Sequence, residues 1–477
     1  MIVDKFSLPL NQIAFSVLDL RRTEAWWREG LGFSPAGGNR LLMRGPLAAI
    51  IQGIPKSATT CWCMVGRNDW AQLEMFQFES PISKLMPADF RPNDIGYTRC
   101  GVWVADFDAA LARLAKLGSL PLNPPVGAAG QRRACVRNPD GVYVELMEDD
   151  PLPAQNGNGR QDCPVAIRSV TMSTPDLATS SAFARDALGL QEADITLHED
   201  AHEAIWGMGD ARCERKVFAS TNILLEIVQY LNPVGKPWPQ AYRICDQGIL
   251  NICFGDPKNR HGVNALYRQA VAAGARPNSR PIHLPIAGAS YVNDALGFSY
   301  EFMWARPGIG HRRFGFVPVA LENRPELDNQ LVSAQIDIEA PNDAVFAVLS
   351  DHQHLGDWTG LGQCALVREG ERERDGRGAE RVLSTPLGMV REQITEWQPN
   401  HRYRYRVIKG SPFVGHWGEV SVRSHAGGTQ VKWTIRFRSR IPGLGRLFRR
   451  VLESKLAAAM ARLAKHFEQH HTRGAQS

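Results

Sequence analysis

The most overt chemical signature in the chain is LHEDAHEAIW at 197–206, where His198, Glu199 and His202 stand in the order H-E-x-x-H. On an α-helix that spacing puts two imidazoles on one face, where they hold zinc while the glutamate reaches the metal-bound water. The flanking residues argue against such a helix. AFARDALGL reads as a helix ending at Leu188-Gly189, and two short β-prone runs, 195–197 and 204–206, surround a polar centre. The segment is predicted to be a hairpin, with both histidines facing solvent at its turn or edge. A second set of reactive groups carries more weight: Glu74, Glu145, Glu226 and Glu301 each sit in a strand-like run, LEMF, VELM, LEIV and YEFM.

The elements that position these glutamates repeat. LEMFQF at 73–78 recurs as LEIVQY at 225–230, and Asp94-x-Gly96 recurs as Asp246-x-Gly248, both at an offset of 152 residues. Each copy divides again, because strand-like starts (IAFSVLDL, CGVWVADF, SVTMSTPDL, ICFGDP) precede amphipathic helices that stop near glycine, at GLGF, KLG, ALGL and AAGA. The chain to about residue 305 is predicted to hold four β-α-β-β-β modules. A Pro, Gly and Asn-rich linker, PLPAQNGNGRQDCP at 151–164, separates the pairs.

Composition narrows the classes. A chain of 477 residues with 44% hydrophobic residues supports several ordinary globular cores. No run approaches a membrane span, and the amino terminus lacks the basic and apolar regions of an export signal, which points to the cytosol. The nine cysteines are scattered, only Cys61 and Cys63 lying close together, and read as buried thiols rather than a disulfide framework. A net charge of +6, without a basic tract interleaved with aromatics, argues against nucleic-acid binding.

Val17-Leu18-Asp19-Leu20, Leu31-Gly32-Phe33 and Asn138-Pro139-Asp140-Gly141 followed by Glu145-Leu146 make the modules resemble the vicinal oxygen chelate superfamily of glyoxalases, bleomycin-resistance proteins and extradiol dioxygenases. The resemblance spans residues 8–305 and implies an α+β fold in which two modules form one cup. The domains expected from it are 1–150 and 165–306, each a pair of consecutive modules. The family holds a divalent metal with a His, Gln or Glu on the first strand of each module and a Glu on the last. The corresponding first-strand residues here are Gln12, Arg99, Ser169 and Asn251, and the last-strand residues are Glu74, Glu145, Glu226 and Glu301. None of the first-strand residues is histidine, and His198 is the first histidine in the chain, so an iron site of two histidines and a carboxylate is not expected in the first domain.

On this reading the first cup presents Gln12, Glu74, Arg99 and Glu145. Gln12, Glu74 and Glu145 are oxygen donors suited to magnesium, manganese or zinc, whereas the Arg99 guanidinium has no lone pair to give and argues for a metal-free site. There a glutamate moves a proton while Arg99 holds a substrate oxygen, or Arg99 and the glutamates form an ion pair that closes the cup. The second cup, with Ser169, Glu226, Asn251 and Glu301, is read as a polar ligand site or a degenerate partner.

After a loop-like connector, 307–330, the pattern changes. IDIEAPNDAVFAVLSD reads as strand then helix, MVREQITEW, RYRYRVIKG, WGEVSVRS and TQVKWTIRFRS as antiparallel strands, and GLGRLFRRVLESKLAAAMARLAKHFEQ as a long helix. Leu444, Leu447, Phe448, Val451, Leu452, Leu456, Met460, Leu463 and Phe467 are its apolar positions, with Arg446, Arg449 and Arg450 on a solvated face. The strand-helix opening and the HLGDWTG stretch resemble the START-like, polyketide cyclase superfamily, a helix-grip fold, over 331–472. That resemblance implies an apolar cavity, with Trp358, Tyr403, Tyr405, Trp417 and Trp433 as candidate pocket residues. Three functions remain: an isomerase, cyclase or lyase using carboxylate proton transfer on a hydrophobic, oxygenated or aromatic molecule; a non-catalytic binder of such a molecule; and a divalent-metal enzyme of the glyoxalase type. Monomer and homodimer are both left open.

Overall fold

The computed structural model describes residues 6–39, 42–153, 160–221, 223–320, 329–385, 388–425, 427–441 and 443–474. The expected linker and connector lie partly outside these residues, at 154–159 and 321–328. The chain divides into two units, Met1–Arg324 and Pro325–Ser477. Among the described residues no helix is long and apolar enough to cross a membrane.

In the first unit the module motifs have a local physical cause. Asp19, Asp106 and Asp176 each stand extended just before a helix, and the carboxylate accepts a backbone N–H of the first turn (Arg22, Ala109 and Thr179). The first helix, Leu20–Ala25, widens into a π-helical turn, Trp26–Leu31, and ends where Gly32 takes φ 87°. A side chain is disfavoured there, and a Cβ would also lie 2.6 Å from Pro164.

Strand pairing departs from the expected order. The first strand of module one, Leu10–Ser16, pairs antiparallel with Gly248–Asp256 of module four, with Ala14 opposite Asn251, and parallel with its own last strand, Gln72–Ser80. Gly248–Asp256 in turn pairs parallel with Ser299–Ala305. In a second sheet Gly96–Val104 of module two pairs antiparallel with Val165–Ser173 of module three, placing Gly101 opposite Ser169, and each lies parallel to its own last strand. The cups therefore join modules one with four and two with three, not one with two and three with four. Each module offers the same kind of edge, its first strand, and backbone pairing does not distinguish the partners. The connections at 81–95 and 233–247 are long enough to carry the chain from one sheet to the other.

The side chains of a strand alternate between the two faces of each sheet. Ile13, Phe15 and Val17 pack into a large core beneath the helices with Trp27, Leu31, Val102 and Val170. Gln12, Ala14 and Ser16 turn to the concave side.

The second unit is an antiparallel sheet running from Asn329–Ile338 through Gly428–Ser439, Phe413–His425, Arg402–Lys409, Gly388–Gln398 and Glu380–Thr385 to Gln363–Arg368. The helix Gly445–Gly474 closes it, burying Leu456, Met460 and Leu463 with Trp358, Tyr403, Tyr405 and Trp433 in one core. Leu447 and Val451, expected on the apolar face, are exposed, as are Arg446, Arg449 and Arg450. In these first turns of the helix Phe448 and Leu452 pack on the core, Phe448 lying 5.2 Å from Phe413 between ring centroids, and the exposed residues do not.

Candidate functional site

In the cup of modules two and three, Arg99, Glu145, Ser169 and Glu226 are all buried. A fifth group joins them. His198 Nε2 is 2.7 Å from Glu145 Oε2, and His198 Nδ1 is 2.7 Å from Glu226 Oε1. A neutral imidazole has only one N–H, so two carboxylate partners favour the doubly protonated ring. The His198 pKa is accordingly raised to about 9, its two glutamates outweighing the burial that opposes the charge. Glu145 and Glu226 are both lowered despite burial, His198 being the largest cause, followed by nearby arginines.

Arg99 donates to Glu226 Oε2 at 3.0 Å and to the Tyr230 hydroxyl at 2.8 Å, and its guanidinium lies 4.0 Å from the Trp206 ring centroid. Arg133 reaches Glu145 at 3.3 Å, and Arg215 reaches Glu203 at 3.0 Å. Three carboxylates thus face three guanidiniums and one imidazolium, and the cup is closed by its own charges. Ser169 Oγ is buried there without a hydrogen-bond partner.

The histidines are not on a solvent-facing hairpin. Residues 200–206 form a 3-10 helix, and the Glu199 N–H donates to His202 Nδ1 at 2.9 Å in a capping box. The H-E-x-x-H pattern splits into a local cap, His202 with Glu199, and an inward ion bridge, His198. His198, Glu203 and Tyr230 are site residues that sequence reasoning missed. The available signal was charge balance, since Glu145 and Glu226 on buried strands require cations and the only histidines near in sequence are these two.

The cup of modules one and four is different in kind. Gln12 Nε2 donates to Glu74 Oε2 at 2.5 Å and to Glu301 Oε2 at 3.1 Å, while Gln72 Nε2 donates to Gln12 Oε1 at 2.7 Å. The Cys61 thiol donates to Glu74 Oε1 at 3.2 Å. Among the described residues neither glutamate has an ion-pair partner. Burial raises the Glu301 pKa to about 7, and burial together with Cys63 and Glu301 raises Glu74 well above the carboxylate range. Asn251 opposes the rise at Glu301, yet neither its Oδ1 nor its Nδ2 makes a well-formed hydrogen bond.

Residues beyond module four cover this cup. The short helix Ile309–Arg313 leads to Phe316, which stacks on Trp70 at 3.9 Å between centroids, and the Val319 N–H donates to Pro35 O at 2.8 Å. Gly315, at φ 80°, sits against Cys63: a Cβ there would lie 2.3 Å from Cys63 Cβ.

The expected quartet Gln12, Glu74, Arg99, Glu145 is thus divided between two sheets, and so is the candidate metal set Gln12, Glu74, Glu145. Nor does either cup fit the metal position that the family resemblance implies. In one, the His198 imidazolium stands between the two last-strand glutamates; in the other, the Gln12 amide N–H group does. Arg99 holds Glu226 and Tyr230 instead of presenting a free guanidinium.

In the second unit Trp358, Tyr403, Tyr405 and Trp433 are buried together, and Trp433 Nε1 donates to the Tyr405 hydroxyl at 3.0 Å. Trp417 is not with them. It lies on the other face of the sheet between Arg404, 4.4 Å from its ring centroid, and Arg436, at 5.0 Å. Deep in the same core Arg381 donates to Glu392 at 2.7 Å and lies 3.1 Å from His352 Nδ1.

One family match falls within the second unit. Residues 329–468 match the family described as polyketide cyclase / dehydrase and lipid transport. Glyoxalase I from Zea mays is 16% identical, with 62% of this chain and 92% of that chain covered, at a TM-score of 0.40. A putative dioxygenase from Bacillus subtilis is 13% identical, with 65% and 89% covered, at a TM-score of 0.44. A START superfamily protein from Mycobacterium smegmatis is 14% identical, with 29% and 97% covered, at a TM-score of 0.27. No curated protein matches the chain. Residues 329–468 are thus similar to the polyketide cyclase / dehydrase and lipid transport family, and the chain as a whole has an α+β architecture of several sheets.

Proposed function

We propose that the protein is a small-molecule enzyme of the isomerase, cyclase or lyase kind, in which Glu301 and Glu74 move a proton on a hydrophobic, oxygenated substrate. One observation carries this reading: two carboxyl groups, Glu301 buried and Glu74 half-buried, share the Gln12 amide with no basic partner among the described residues. A Glu301 pKa of about 7 lets the pair hold a proton or accept one at neutral pH. Glu301 as carboxylate takes a proton from a carbon beside a substrate carbonyl. The Glu74 carboxyl, held by Gln12 and Cys61, gives its proton to the oxygen that gains charge. Glu74 is the less buried of the two, so substrate approaches from its side. The charge-locked cup of modules two and three serves as the scaffold, and the carboxyl-terminal unit supplies affinity for apolar ligands.

The test is solvent-deuterium incorporation into a panel of aromatic and polyketide-like ketones, read by mass spectrometry. Wild type is expected to exchange the proton beside the carbonyl with a pH midpoint near 7, and Glu301→Gln to be slower by about a hundredfold or more. Exchange unchanged in Glu301→Gln, or absent from ketones the protein binds, overturns the reading.

A second reading, plain ligand binding, is supported by a crevice of about 670 Å³ between the two crossover connections. It is lined by Phe90, Tyr97, Trp238 and Tyr242, and Trp238 Nε1 is buried without a hydrogen-bond partner. An aromatic ligand with an acceptor oxygen suits this lining.

A further inference from the structure

Cys61 and Cys63 lie two residues apart on the strand Ala58–Val65, so both side chains project from one face of the sheet, toward the concave side that carries Glu74. One ligand atom from each of Cys61, Cys63 and Glu74 lies within 4.8 Å of the other two. Both cysteines are buried and neither is in a disulfide. We propose that these three residues form a binding site for a thiophilic divalent metal ion of the Zn²⁺ class.

Three further observations support the assignment. Gln72 Oε1 is buried beside the cluster and has no hydrogen-bond partner. A Cβ on Gly315 would lie 2.5 Å from Cys63 Sγ and 2.7 Å from Gln72 Oε1, so this glycine packs directly against both groups and lets the thiol and the unsatisfied oxygen approach one another. Glu74 also divides its oxygens: Oε2 accepts from Gln12, and Oε1 faces Cys61. The side of Glu74 that faces the thiols is therefore distinct from the side that faces Glu301.

Thiolate donors select zinc and its soft neighbours over magnesium, calcium or manganese. As the ion enters, Cys61 and Cys63 lose their S–H protons to solvent and each sulfur gives a lone pair. Two thiolates and the Glu74 carboxylate around a divalent ion leave a net charge of −1, so the cation offsets most of the charge that its ligands bring into the cup. Gln72 Oε1 is the fourth donor within reach. A Glu74 carboxyl that binds the ion also releases its proton to solvent and is withdrawn from the proton-donor role proposed above, so that role belongs to the metal-free cup. This assignment adjoins the proposed proton-transfer pair but is tested without it.

The experiment is titration of chelator-treated full-length protein with Co²⁺, followed by absorption. One equivalent is expected to produce sulfur-to-cobalt charge-transfer bands in the near ultraviolet and tetrahedral bands in the visible, displaced by Zn²⁺. Cys61→Ser with Cys63→Ser is expected to abolish the charge-transfer bands, Glu74→Gln to weaken binding by at least about tenfold, and Cys364→Ser to change nothing. Because the double variant could misfold, X-ray absorption of zinc-loaded wild type gives an independent reading, with two sulfurs expected at about 2.3 Å. Absence of charge-transfer bands in wild type, their persistence in a folded double variant, or a zinc shell without sulfur each overturns the proposal. Metal binding with sulfur ligands but no ketone exchange sinks the proton-transfer reading alone.

Discussion

Removing the His198 imidazole tests whether the charge network of modules two and three is what closes that cup. In His198→Ala, Glu145 Oε2 and Glu226 Oε1 each lose a partner at 2.7 Å and are left to Arg133 and Arg99. The His198 pKa rises from the ordinary 6.5 to about 9, and 2.5 units correspond to about 3 kcal/mol of preference for the charged ring in the folded protein. Breaking one arm of a buried ion pair costs about 3–5 kcal/mol by a separate route, so the two expectations agree. Because the folded pKa lies above the unfolded one, the contribution is complete below about 6.5 and is lost as pH rises through about 9. Glu145 and Glu226 behave oppositely. Their pKa values are lowered, so their contribution is present above 4.5 and is lost as pH falls below it.

Urea unfolding of wild type and His198→Ala between pH 6 and pH 10 reads the His198 contribution, and the difference between the proteins cancels the other groups that titrate there. The expected gap is about 3–5 kcal/mol at pH 6, narrowing by about 3 kcal/mol at pH 10. His198→Gln separates charge from shape: its amide keeps N–H donors, both on one nitrogen, but carries no charge, so the pH-dependent part should vanish while part of the stability stays. A gap below about 1 kcal/mol, or one that does not change with pH, refutes the imidazolium bridge.

Two further outcomes follow from neighbouring geometry. Gly315→Ala adds a Cβ at φ 80° that meets Cys63 at 2.3–2.5 Å; the covering residues should loosen at a cost of about 1–3 kcal/mol, and Cys63 should react faster with a thiol reagent. In the carboxyl-terminal unit Tyr405→Phe strands the buried Trp433 Nε1–H at a cost of about 1–3 kcal/mol, whereas Trp417→Ala loses only outer-face packing on Arg404 and Arg436 and should leave binding of an apolar fluorescent probe unchanged.

What the sequence made legible was local. The aspartate caps, the glycine helix stops and the glutamate-bearing last strands each depend on a few adjacent residues, and each appears where its motif stands. The position of Trp417 was legible too, through parity that the aromatic count obscured. In the strand Phe413–His425, beyond the register shift after Val414, the buried members are Gly418, Val420 and Val422, whereas Trp417 shares its face with Glu419 and Ser421. The same parity puts Tyr403 and Tyr405 inside and Arg402, Arg404 and Arg406 on the other face.

The sites were not legible because they are made by long-range choices. Pairing consecutive modules gives Arg99 to Gln12 and Glu74, and hence a cup with a fixed cation. Pairing one with four gives them Asn251 and Glu301, and hence two carboxyls with none. The chemistry inverts although every residue and every strand is the same. The deciding free energy lies in how the Leu10–Ser16 edge meets Gly248–Asp256 rather than Gly96–Val104, a comparison between whole surfaces that no local pattern encodes. His198 depends on that choice as well. It reaches Glu145 of module two from module three only because those two modules share a sheet. Had consecutive modules paired, Glu145 and Glu226 would stand in different cups, and one imidazole could not bridge them.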